Sequence, residues 1–180
     1  MSWWLLVVAM VAAVNPFRSR VGLREAIPLP GLAVGAAVGI GGVALLAAVA
    51  ASLLDALQIT PETFLIAAGL VAIIAGARTM ILPRPTVEPA LGGWREGLWP
   101  IAYPRILSPE VMALALALVS QRGVAPTVGA AAAGIAGLAL LTRLRLTERT
   151  TRVFIALGTL AGMLLVVAGI WMMIEGIRDV

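Results

Sequence analysis

"PIAYPRILSPE", residues 100–110, sets Pro100, Pro104, Pro109, Arg105 and Glu110 inside one of the most apolar parts of the chain. Each interior proline removes one helical hydrogen bond and clashes with the carbonyl one turn earlier. Backbone freed at membrane depth persists only where protein or water satisfies it. Three prolines within ten residues are too many for a single kink, so residues 100–109 are expected to be partly unwound between two half-helices. Ser108 would cap the second half-helix, Pro109 would take its first position, and the positive end of its dipole would face the break.

The surroundings are those of a membrane protein. Of 180 residues, 61% are hydrophobic and 12% charged, with a mean hydropathy of +1.04. Soluble domains hold roughly 45–50% apolar residues. Apolar runs at about 2–15, 31–57, 60–82, 97–120, 123–142 and 150–175 are six candidate spans. The first stops at Asn15-Pro16, too early for a regular crossing helix. Spans 2 and 5 are rich in Gly and Ala, which favours close helix approach, and both are expected to be buried in the bundle. Thr60-Pro61-Glu62 is a start signal for span 3.

All 13 basic residues are arginines, and cysteine and histidine are absent. Thiolate or imidazole metal sites and imidazole proton shuttling are therefore excluded. No paired-carboxylate motif stands in for them, so no catalytic residue, metal ligand or cofactor is expected, and the chain is read as not an enzyme. Arg18, Arg20 and Arg24 follow span 1, Arg78, Arg84 and Arg95 follow span 3, and Arg143, Arg145, Arg149 and Arg152 follow span 5, against Arg122 and Arg178 in the alternate loops. The net charge of +4 thus reports topology and not nucleic-acid binding. Both termini are expected on the non-cytoplasmic side of a bacterial inner membrane. Arg105 belongs to no loop. Asp55 and Glu175 fall at span ends, as do Trp3, Trp4, Trp94, Trp99 and Trp171, where solvent and headgroups account for them.

The chain also reads as two copies of itself. Residues 35–47 laid on 130–142 match Gly39 with Gly134 and Gly42 with Gly137, while Gly69, Gly76 and Met80 fall on Gly162, Gly169 and Met173. Three spans per copy is odd, so the halves cross the membrane in opposite senses. The expected fold is an all-α membrane protein of six transmembrane helices, arranged as two inverted three-helix repeats (1–90 and 91–180) with interrupted helices 1 and 4. Matching the proline breaks of spans 1 and 4 lays Asn15-Pro16 over Tyr103-Pro104. Intramembrane charges normally face a bundle interior or water, and Asn15, Pro16, Arg18, Tyr103, Pro104, Arg105, Ser108 and Glu110 are the candidate substrate- or ion-binding residues. Arg105 would hold an anionic group and approach Glu110 across the unwound stretch. A bland alternative leaves Arg105 snorkelling to headgroups from an interfacial loop.

"ITPETFLIAAGLVAIIAGARTMILP" (59–83) and "PIAYPRILSPEVMALAL" (100–116), with Asn15-Pro16, resemble the MarC-like family of small six-span bacterial inner-membrane proteins in the LysE-type exporter superfamily. Ser108-Pro109-Glu110 departs from that family's Gly-Pro-Gly, and "FRSRVGLRE" after Asn15-Pro16 departs from its apolar half-helix. The resemblance implies a transporter-like fold and export of a small solute. The expected function is secondary transport of a small, anionic solute by alternating access about the two breaks. Its partners would be that solute and membrane lipid, with no nucleic acid, and a homo-oligomer is compatible with the sequence. A non-transporting subunit or assembly factor of a larger membrane complex is the alternative.

Overall fold

The computed structural model describes residues 3–21, 23, 28–82, 93–144 and 146–179. Within them the chain is all helical: α1 (Trp3–Val14), α2 (Pro16–Val21), α3 (Leu29–Leu57), α4 (Pro61–Ile81), a π-helical segment (Gly97–Ile106), α5 (Pro109–Arg122), α6 (Val124–Thr142) and α7 (Glu148–Asp179). Helix ends follow local chemistry. Gln58 adopts the left-handed conformation after α3, and Ile59 N–H returns to Leu54 O at 3.0 Å, a Schellman-type end. Thr60 then caps α4 by accepting from Thr63 N–H, as the sequence predicts. Gly123, at φ 83°, is by itself the corner between α5 and α6, a conformation open to glycine without strain.

Among the described residues, α3, α4, α6 and α7 are long and apolar enough to cross a membrane, and the bent pair of π segment and α5 makes a fifth span if taken as one. Of the six expected spans, four, or five with the bent pair, are thus long and apolar enough to cross. At 12 residues, α1 rises only ~18 Å, against a hydrocarbon core of ~30 Å. Its continuation α2 carries Arg18 and Arg20.

The expectation that spans 2 and 5 are the buried ones is corrected. Both keep an outward face, with Leu45 and Leu140 exposed. The central helix is α5, where consecutive residues Leu114 to Leu118 are all buried and no face of the turn is left outside. Around it, Met10 and Val14 of α1, Leu65 and Ala72 of α4, Ala131 of α6 and Leu165 and Met172 of α7 form the main core. A second cluster, including Leu32, Ile101, Ile106 and Leu138, fills the space between α3, the π segment and α6. The glycines of α3 serve that contact. A Cβ on Gly35 would meet Ile101 at 2.6 Å, and one on Gly39 would meet Ile106 at 2.4 Å.

Helices α4 and α7 pack antiparallel. Gly69 stands against Gly169, Gly76 against Gly162, and Gly176 against the carbonyl of Glu62. Successive glycines are seven residues apart on both helices, so each returns to the seam after about two turns. With lipid supplying no hydrophobic drive, such close backbone contact is a main source of helix association.

Candidate functional site

The first break is built by Asn15. It is buried and takes φ 44° between α1 and α2, a left-handed conformation in which Asn is favoured among non-glycine residues. Pro16 opens α2 at its first position. The Asn15 carboxamide works in both directions: Oδ1 accepts from Arg18 N–H at 3.2 Å, and Nδ2 donates to Gly158 O of α7 at 2.9 Å. It therefore caps α2 and ties the break to α7. Gly158 leaves room for this approach, since a Cβ there would lie 3.0 Å from that of Arg18.

Three arginines gather around α2. Arg18 and Arg20, read from the sequence as loop residues, are 9% and 4% exposed. Arg18 Nη2 donates to Leu82 O at the end of α4, at 2.6 Å. Its Nη1 is buried with no hydrogen-bond partner among the described residues. Arg20 spreads three bonds, from Nε to Leu141 O (3.2 Å), from Nη1 to Leu23 O (3.0 Å) and from Nη2 to Leu144 O (3.0 Å). Leu141 and Leu144 lie at the end of α6, where carbonyls lack intrahelical donors and the helix dipole favours a cation. Arg105, 4% exposed, reaches from the π segment to donate to Ser19 O at 2.8 Å. The ends of α2, α4 and α6 are thereby held together at one end of the bundle. Arg24, Arg84 and Arg145 of the loop count lie outside the described residues.

The second break differs from expectation. Residues 97–106 are wound as a π-helix and not unwound, with Leu107 N–H donating to Ala102 O at 2.7 Å. The wider π turn absorbs Pro100 and Pro104, whose missing N–H groups each leave a gap in the ladder. The true interruption is at Leu107-Ser108, and the π segment meets α5 at 60°. Ser108 is the N-cap residue and Pro109 the first residue of α5, as read from the sequence. The Ser108 side chain makes no capping bond, however, and its Oγ is buried without a partner among the described residues.

The eight candidates are therefore not one cluster. Asn15, Pro16 and Arg18 form the first break, with Arg105 joined to it through Ser19. Ser108 and Glu110 stand at the mouth of α5. Glu110 is half-buried, and no ion pair joins it to Arg105 among the described residues. Tyr103 and Pro104 are exposed, linked by a cis peptide bond, with the Tyr103 ring 5.7 Å from that of Trp99. They belong to the outer surface. Sequence reading missed the roles of Arg20 and Ser19. The available signal was the alternation "FRSR" directly after Asn15-Pro16, in which positions 18 and 20 leave a six-residue helix towards two neighbours.

Beside the first break, α1, α2 and α7 enclose an apolar groove of about 360 Å³, bordered by Val7, Val11, Phe17, Leu157, Leu160 and Leu164. It exists because the turn at Asn15 carries the chain away from the line of α1. No protein-family model, curated protein or solved structure matches this chain.

Proposed function

We infer that this chain is a secondary transporter of a small anionic solute in a bacterial inner membrane, working by alternating access between two inverted three-helix halves. The observation that carries the reading is an exchange of contacts. A residue offset of 93 takes Gly69 to Gly162 and Gly76 to Gly169, and the pairs in contact are Gly69 with Gly169 and Gly76 with Gly162. Each contact becomes the other when the halves are swapped, as a two-fold axis in the membrane plane requires. Other pairings follow suit: α3 packs on the π segment as α6 packs on α1, and α4 packs on α5 as α7 packs on α2. The same offset lays Pro16 on Pro109, each the first residue of a helix after a break. That register replaces the sequence alignment of Pro16 with Pro104. The resemblance to MarC-like proteins agrees with this reading.

Within it, the two breaks have different duties. Asn15 satisfies its helix start and is bonded to α7, whereas Ser108, its counterpart, leaves the start of α5 uncapped. First-turn amides without intrahelical acceptors, a helix dipole and a buried hydroxyl favour an anion. The carboxylate of Glu110 in the same turn would compete with that anion for the α5 amides.

Because the chain has no cysteine, Ser108→Cys is a sole thiol. Alternating access requires that a membrane-impermeant thiosulfonate reach it from water in native membranes, although Ser108 is 3% exposed in this conformation. A folded Ser108→Cys protein that resists the reagent from both sides would favour the non-transporting subunit reading. In proteoliposomes, Arg105→Ala should lower anion flux, and Glu110→Gln, which removes the competing carboxylate, should raise it.

A further inference from the structure

The first turns of α7 hold a hollow of about 300 Å³ bordered by Glu148, Arg149, Arg152 and Val153. Glu148 is paired with Arg152 across one helical turn, so Arg149 supplies the hollow's net positive charge. Further along α7 lies the apolar groove beside the Asn15 break. At 100° per residue, Arg149, Val153, Leu157, Leu160 and Leu164 fall within a stripe of about 80° on one face of the helix. From Leu157 to Leu164, the part of α7 that lines the groove, the rise is about 10 Å, which fits within the ~15 Å depth of one leaflet's hydrocarbon. A cationic hollow followed along the same face of α7 by an apolar groove has the form of a phospholipid.

We propose that this face binds one anionic phospholipid, its phosphate at Arg149 and Arg152 and one acyl chain in the groove between α1 and α7. The end of the bundle supports the assignment. Arg149 and Arg152 lie at the arginine-rich end, where basic surface pockets recognise anionic head groups of the cytoplasmic leaflet. The groove's lining is aliphatic apart from Phe17 and Pro16, and Phe17 is held in place by an edge-on contact with Phe154 at 5.9 Å. Occupancy would brace the α1–α2 turn from the lipid side, opposite the bond from Asn15 to Gly158. This proposal does not depend on the transport reading.

The test is native mass spectrometry of the full chain, released from micelles doped with phosphatidylglycerol or with phosphatidylcholine of the same chain length. The wild type should retain one phosphatidylglycerol per chain in preference to phosphatidylcholine. An arginine near a membrane surface contributes ~1 kcal/mol towards anionic lipid, about fivefold in affinity. Arg149→Gln should therefore weaken phosphatidylglycerol retention about fivefold, while Arg178→Gln, the same charge change at the far end of α7, should leave it unaltered. Ala161→Phe, which fills the groove, should reduce retention of both lipids, and Leu160→Trp at the exposed rim does the same if the first variant fails to fold. Equal retention of the two lipids by the wild type would overturn the proposal. So would undiminished retention in a folded groove-filled variant, or a second copy of the chain in place of lipid.

Discussion

Gly69 and Gly169 meet backbone to backbone: a Cβ on Gly69 would lie 2.6 Å from Gly169 O, and one on Gly169 would lie 2.5 Å from Gly69 O. The nearest obstacle on each side is a backbone carbonyl oxygen, which cannot swing aside as a side chain can, so a substitution must separate α4 from α7. Gly169→Ala should destabilise the folded protein by about 1–3 kcal/mol, the usual cost of overpacking. Gly41→Ala, where a Cβ would meet nothing within 4 Å, should be neutral or slightly stabilising, since alanine is the better helix former. Thermal unfolding in detergent separates the two, and equal melting shifts would show that the glycine seam does not govern packing.

Arg20 joins α2 to the end of α6 through bonds that only a planar fork can make together. Arg20→Gln should cost about 3 kcal/mol or more, because buried carbonyls lose charge-assisted partners. Arg20→Lys keeps the charge but not the fork and should fall between. Urea unfolding of the three proteins in one detergent checks this order, and a lysine variant as stable as the wild type would show that charge alone suffices.

At Asn15 a positive φ and a side-chain cap are required of one residue. Asn15→Gly keeps the backbone conformation and loses the bond to Gly158. Asn15→Ala loses that bond and also meets the left-handed penalty of about 1–2 kcal/mol. Alanine should be the more damaging change by roughly that amount, read as the difference in unfolding free energy. The reverse order would mean that the turn relaxes to another geometry.

Orientation can be read with single cysteines. Gln58 lies at the end of the bundle away from the arginine cluster, and Leu144 lies beside it. If the arginine-rich end is cytoplasmic, a membrane-impermeant maleimide added to intact cells should label Gln58→Cys and spare Leu144→Cys until the cells are opened. The opposite pattern would invert the topology and put the two termini in the cytoplasm.

Much of the architecture was legible in the sequence because lipid imposes a simple rule on backbone. Apolar runs bounded by charge, proline and glycine located α3, α4, α6 and α7 to within a few residues, and Thr60-Pro61 and Ser108-Pro109 marked two helix starts. Asn15-Pro16 was recognisable as a break because proline removes a helical hydrogen bond, while the left-handed turn at Asn15 came only from the structure. Gly69, Gly76, Gly162 and Gly169 were legible only as matching positions of two similar segments; that they meet in one seam between α4 and α7 came from the packing.

Only the tertiary structure decided what the breaks and their charges do. Hydropathy counts an arginine as solvated wherever it follows an apolar run, yet Arg18 and Arg20 are buried because the ends of α4 and α6 bring them carbonyl acceptors distant in sequence. Arg105 likewise donates to Ser19 O, and among the described residues it does not pair with Glu110. The place of the second break lay beyond linear reading as well, because the π-helical winding of residues 97–106 takes up Pro104 and moves the interruption to Leu107-Ser108. Centrality was a third such matter: composition favoured the Gly- and Ala-rich spans, but burial depends on how many neighbours surround a helix, and α5 has them on every side.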